Sequence, residues 1–348
     1  MISRVADYCF WFGRYLDRAE SSARLLEVTR TLVFDADIPV THCWQPLVIV
    51  AGEEERFVAK HGRAALGNGE LVQEYMTWSG ENPVSLWNSV RASRECARAI
   101  RDQLSLDAWE EVNEMYLWLA RESTRQLYQD NRGEFYRTVR RGTQLTLGLV
   151  RSTMLHDEPI SFLWMGVMLE RAGQTSRILD MHHHTMEQES QQHDIVQAAL
   201  WMSLLRACSG SEAFMKKNQG RVTAQKMVEF LLFDPSFPRS LRYCLHSGFG
   251  LLQRIWDTPA PGQPGRGSLT RYQSLLTWLD KQAQDLDLAN IHVLLTAVVD
   301  EVAAICSRIS QDIQGPSRDN VTTAVEQVTA RVPATQAQTQ TQRAESTE

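Results

Sequence analysis

The sequence reads as an all-α multi-helix bundle, for three reasons. Apolar residues recur at helical spacing through most of the chain. The β-branched alternation and Asn-Gly or Asp-Gly turns that mark strands and hairpins are nearly absent. Finally, one Trp/Arg-rich segment with helical periodicity occurs twice, at residues 10–27 and 163–180.

Breakers divide the chain at Ile38-Pro39, Gly67-Asn68-Gly69, Asn82-Pro83, Glu158-Pro159, Asp234-Pro235 with Pro238, and Pro259 to Gly267. Between them the periodicity predicts helices over 2–35, 84–104, 106–129, 133–155, 160–188, 193–208, 221–231, 239–256, 268–286 and 289–313. The Pro/Gly run reads as an exposed loop, flanked by Trp256 and Trp278, whose rings are expected in the core. Past Gly315-Pro316 one short helix, 320–331, precedes a Thr/Gln/Ala-rich tail, 333–348, with no apolar period; 315–348 is expected to be mostly disordered.

The two signature segments align without a gap, 153 residues apart. Trp11/Trp164, Gly13/Gly166, Leu16/Leu169, Arg18/Arg171, Ala19/Ala172, Arg24/Arg177 and Leu26/Leu179 are identical, and Asp17/Glu170 and Glu27/Asp180 keep their charge. That spacing far exceeds the roughly 20–50 residues of solenoid repeats, which predicts a duplicated multi-helix unit. The halves would be 1–156 and 157–314, packed together about an approximate twofold.

At 348 residues, with 43% hydrophobic and 22% charged side chains, the chain can bury a core of ordinary globular composition. A formal charge of −6 argues against nucleic acid or an anionic membrane as a partner held by global electrostatics. No run of 18 or more apolar residues occurs, so no membrane insertion is predicted. Asp7, Arg14 and Asp17 leave no apolar core for a secretory signal. Six scattered cysteines without a C-x-x-C pair read as buried thiols in a reducing compartment, and the cytoplasm is the predicted address.

On a helical wheel Tyr8, Phe12, Tyr15, Leu16, Ala19, Ala23 and Leu26 form the core-facing stripe of the first signature. Arg18 lies at one margin and Glu20 and Glu27 at the other, with Asp17 and Arg24 on the far side; Arg171 and Asp180 take matching margins in the second copy. Charges at such margins are costly unless paired. Two accounts are open: the repeated arginines tie the halves together through bidentate carboxylate pairs, or they line one cleft as forks for a substrate carboxylate or phosphate. In the stretch Asp234 to Arg242, Ser236 reads as a helix cap, and Arg239 and Arg242 crowd a helix start, where positive charge calls for an anion nearby.

Five stretches resemble the alpha-E family of helical bacterial proteins: the opening from Met1 to Leu26, Glu81 to Leu86, Arg91 to Arg98, Leu163 to Asp180, and Asp234 to Leu245. Together they span most of 1–313. The resemblance implies association with circularly permuted ATP-grasp and transglutaminase-like proteins, and a part in making or modifying peptide or amide bonds. Carried onto the matching positions, it marks Arg14, Arg18, Glu20 and Arg24, then Glu170, Arg171 and Arg177; Gly173 stands where the first copy has Glu20. The candidate catalytic carboxylates are therefore Glu20 and Glu170. The candidate substrate-binding residues are Arg14, Arg18, Arg24, Arg171, Arg177, Arg239 and Arg242, facing an anionic or peptide substrate. The rival reading is a non-catalytic interaction protein whose paired helices only stabilise the bundle.

The tract His182-His183-His184 with Glu187, Glu189 and His193 lacks the Glu-x-x-His framework of di-metal bundles, so it reads as a solvated or capping cluster and no metal is predicted. His156, Asp157 and Glu158 read as a turn whose acids suit the next helix start. No Walker loop, dinucleotide fingerprint or nucleophile elbow occurs, and no cofactor is predicted for this chain itself.

Overall fold

The computed structural model describes residues 3–35, 38–188, 194–219, 222–257 and 259–314. Among these residues there are fifteen α-helices and no strand. The first signature lies within α1 (Ser3–Asp35) and the second within α9 (Glu158–Gln188), so both are helical throughout. Between them run α2 (Val40–Val50), α3 (Glu54–His61), α4 (Gly69–Trp78), α5 (Leu86–Ala99), α6 (Leu106–Leu119), α7 (Glu122–Asp130) and α8 (Arg132–Thr153). After α9 come α10 (Asp194–Ala207), α11 (Ser211–Asn218), α12 (Ala224–Phe233), α13 (Leu241–Ile255), α14 (Arg266–Gln282) and α15 (Ile291–Gln314).

Side-chain caps fix many of the starts. Asn68, Ser85, Ser105, Asn131, Thr223 and Ser240 each accept first-turn N–H groups that have no partner inside the helix. Here the expectation for α13 is corrected: its cap is Ser240, not Ser236. The Asp234 carboxylate instead accepts the N–H groups of Ser236 and Phe237, closing an Asx turn. Arg239 therefore precedes the helix, and Arg242 alone sits in its first turn. Four helices, α2, α3, α4 and α11, form where none was predicted, and 106–129 is two helices broken at Ala120-Arg121. Pro46 hides α2 from a propensity reading, but burial of Trp44, Leu47 and Val48 outweighs its missing donor.

At the centre α1 and α9 pack on each other. Helix α1 is further covered by α5, α8 and α10, and α9 by α13, α15 and α2. With neighbours on every side, α1 buries Asp17, Glu20 and Arg24 along with Phe12 and Leu16. This corrects the wheel reading, which put Asp17 and Arg24 on an outer face. Amphipathicity locates a core only for a helix with one side in water.

The contacts between α1 and α9 are reciprocal. A Cβ on Gly13 would overlap the carbonyl oxygen of Leu163, and a Cβ on Gly166 would overlap that of Phe10, so the backbones meet where only glycine fits. The second neighbours match as well, Val167 beside Gly13 and Arg14 beside Gly166. Packing farther out runs in parallel: α5 rests on α6 and α6 on α8, as α13 rests on α14 and α14 on α15, and α4 meets α5 as α12 meets α13.

No described helix is long and apolar enough to cross a membrane. All six cysteines are buried, and no disulfide joins them.

Candidate functional site

The ion pairs at the centre follow the same exchange. Arg18 grips Glu170 with two parallel bonds, Nε to Oε1 at 2.7 Å and Nη2 to Oε2 at 2.9 Å, while Arg171 Nε reaches Asp17 Oδ1 at 2.7 Å. One helix turn before Arg18, Arg14 adds a 2.9 Å bond to Glu170 Oε2, and Gln174 adds one of 3.1 Å to Oε1. Burial opposes the charge on Glu170, but the Arg18 and Arg14 guanidiniums outweigh it and hold its pKa far below the usual carboxylate range. So held, Glu170 is an acceptor and a fixed negative charge; it has no proton to give near neutrality.

Glu20 anchors a second cluster. It accepts Arg239 Nη2 at 2.6 Å and Gln144 Nε2 at 3.0 Å, and it pairs with Arg24 one turn along α1. Arg239 also accepts, through its carbonyl, the hydroxyl of Thr175 on α9, so the loop before α13 is pinned to both central helices. Arg24 is almost wholly buried, and its Nε and Nη1 have no hydrogen-bond partner among the described residues. Burial, then the Arg239 and Arg140 guanidiniums, pull its pKa below the ordinary arginine value. Farther along α1, Arg140 of α8 bonds Glu27 at 2.6 Å, and in α9 Asp180 meets His292 at 2.6 Å.

The two clusters differ in one respect. In α1 the arginine Arg24 has Glu20 four residues before it; in α9 the arginine Arg177 has Gly173 there. Beside Gly173 a Cβ would come no closer than 3.9 Å to Arg177 Nη1 and to Val302, which is ordinary contact. Arg14 and Arg18 are bonded to Glu170, whereas Arg177 has no bond to it among the described residues and feels it only as a nearby negative charge. Burial lowers its pKa, Glu170 opposes that, and Arg18 and Arg14 add to the lowering. Glu170 is thus bonded by two guanidiniums and lies within reach of the charge of a third, and Arg18 Nη1 is buried without a partner among the described residues.

The structure brings together Arg14, Arg18 and Glu170, and separately Arg24, Arg239 and Glu20, with Arg171 on Asp17; Arg177 meets the first cluster only through its charge. The fold sets Arg242 apart, half-exposed on Asp280 at 3.3 Å. None of the residues just named lines the cleft of about 930 Å³ at the end of α1 or the one of about 290 Å³ beside Glu27 and Arg140. Sequence reasoning missed Asp17, Gln144, Gln174 and Arg140 as partners. The retained charge at Asp17/Glu170 was the available signal for the first. Of the histidine tract, His182 is buried with its Nδ1 unpartnered, and burial lowers its pKa to about 4; the side chains of His184, Glu187, Glu189 and His193 lie outside the described residues. Trp256 packs edge-on against Phe162, with Gly265 at its face.

Residues 1–315 match the Alpha-E family, described as a predicted alpha-helical domain with a conserved ER motif. Glu-Arg occurs twice in this chain, exposed at Glu55-Arg56 and in the central ion pairs at Glu170-Arg171. An uncharacterised protein of Mycobacterium bovis is 29% identical over 257 residues, covering 70% of this chain and 28% of that protein. Two from strains of Mycobacterium tuberculosis are 29% and 28% identical over the same length, with the same coverage. The match thus spans less than a third of the length of these relatives. No solved structure matches.

Proposed function

The chain belongs to the Alpha-E family, and on that footing we propose that it is the substrate-holding helical component of a system that makes or modifies peptide or amide bonds. In this reading it works in the cytoplasm beside an ATP-grasp ligase and a transglutaminase-like protein, and it holds an anionic or peptide substrate. One observation carries the proposal: the arginines near Glu170 outnumber the carboxylates, because a buried Gly173, with room for a Cβ, stands where α1 supplies Glu20. A substrate carboxylate at that position would complete the Arg177 pair as Glu20 completes that of Arg24. The coverage of the relatives supports a component role, because there the same unit is one part of a longer polypeptide. A second reading, a purely structural module, is favoured by the reciprocal Arg18–Glu170 and Arg171–Asp17 pairs, which hold the bundle without any ligand.

Gly173→Glu and Arg177→Gln separate the two. A built-in carboxylate four residues before Arg177 should raise the unfolding free energy by about 1.5–3 kcal/mol, the worth of a hydrogen bond to a charged group, and should block substrate. Arg177→Gln should leave the melting temperature nearly unaltered. The unaltered chain should be stabilised by a carboxylate-bearing peptide and should stimulate phosphate release by a co-purified ATP-grasp ligase, and both variants should lose these responses. If both variants respond to peptide and ligase as the unaltered chain does, the substrate-holding reading fails and the structural one stands.

A further inference from the structure

The C-terminal end of α1 faces an open cleft of about 930 Å³, within the roughly 300–1,000 Å³ of small-molecule sites. Three helices begin on it: Val40 and Thr41 of α2, Gly69 and Glu70 of α4, and Arg132 of α8 all line the cleft. Each start presents the positive end of a helix dipole. Helix α2 opens without a side-chain cap on its first N–H groups.

The charges in the cleft are unevenly matched. Glu70 is held by both terminal nitrogens of Arg132, and Asp130 is bonded by Gln126 at 3.0 Å. Arg30 makes no ion pair among the described residues, and its Nε is buried without a partner. Its Nη2 lies 2.8 Å from where a Cβ of Gly133 would be, so this guanidinium is pressed against the start of α8, beside the positive end of a helix. A cation there is disfavoured unless an anion joins it.

A second group points to the other half of a ligand. Gln73, 3% exposed, lines the same cleft. Its Nε2 donates to the Gly69 carbonyl at 3.0 Å, which fixes the amide orientation, and its Oε1 has no partner among the described residues. A buried carbonyl oxygen left this way calls for a donor. We infer that this cleft binds a small molecule carrying a carboxylate beside an N–H donor, a free amino acid or a peptide end, with the carboxylate on Arg30 and the donor on Gln73 Oε1. The exposed Phe34 and Val40 at the rim would meet an apolar side chain. The inference is independent of the Arg177 site, which lies on α9.

Calorimetry on the full chain with acetate, methylammonium, glycine and glycylglycine at constant ionic strength tests it. Glycylglycine and glycine should bind more tightly than acetate, and methylammonium should not bind. Arg30→Gln should weaken glycylglycine about tenfold or more, the loss of one charge-assisted hydrogen bond. Gln73→Leu should reduce glycylglycine to the affinity of acetate. Binding should persist in Gly173→Glu; binding lost there but kept in Arg30→Gln belongs to the α9 site and overturns this assignment. So does the absence of heat with every probe. Circular dichroism verifies that each variant folds. If Arg30→Gln does not, Gln73→Leu decides, because a glycylglycine advantage that survives in it overturns the assignment.

Discussion

A charged side chain buried between helices persists only where another group answers it. Asp17, Arg18, Glu20 and Glu170 meet that condition through partners more than 120 residues away in sequence or on a facing helix. This is why the residue types at the site were legible in the sequence and their partners were not: a repeated Arg announces that something must pair with it, and only the fold says what. His182 shows the converse case, a titratable group buried with no charged partner among the described residues, its pKa lowered by burial to about 4. The unfolded chain takes up a proton on this residue as pH falls below about 6.5, whereas the folded one resists until about pH 4. Stability from this residue is therefore full above pH 6.5, declines as pH falls through the window from 6.5 to 4, and changes no further below it. Urea unfolding should show the native chain losing about 2 kcal/mol more than His182→Gln between pH 7 and pH 5. Equal losses in both would mean that His182 reaches solvent.

At the scale of helices, the long amphipathic segments were legible and the short ones around α2 to α4 were not. Residues 40–50 combine β-branched side chains with Pro46, and Gly62, Gly67 and Gly69 punctuate the chain between α3 and α4, so local preference speaks against helix there. Tertiary burial of Trp44, Phe57, Val72 and Met76 decides otherwise. The repeated glycine was legible as an identity, Gly13 with Gly166, but its reason appears only where the two backbones meet. Since each added methyl would press on a backbone carbonyl rather than on a flexible side chain, relief requires the helices to part. Gly13→Ala and Gly166→Ala should each destabilise by about 1–3 kcal/mol or more, the range for overpacking a tight core. Because both act on one crossing, the double variant should cost less than the sum, measured as a coupling in a double-mutant cycle. Additive effects would mean that the crossing is not shared.

On the scale of the whole molecule, the all-α class was readable from periodicity and the matching signatures from residue identity, while the way α1 and α9 insert into each other was not. Each signature helix supplies the other with its glycine contact and its carboxylate, Arg18 to Glu170 and Arg171 to Asp17. A fragment comprising residues 1–156 keeps α1 through α8 but loses the surface that answers Gly13, Asp17 and Arg18. Asp17 and Arg18 lie side by side in one helix, so a second copy of α1 could offer Arg18 to Asp17 and receive the same in return, a self-complementary twofold arrangement. The fragment should thus be a homodimer at high concentration and lose helix content on dilution. Mixed with 157–314, it should form a one-to-one complex in preference, because Glu170 accepts Arg14 and Arg18 together. Light scattering and circular dichroism across a dilution series measure both. A folded, monomeric 1–156 fragment as stable as the intact chain would show that the first half does not need the second, and that the central ion pairs join two finished units instead of completing one.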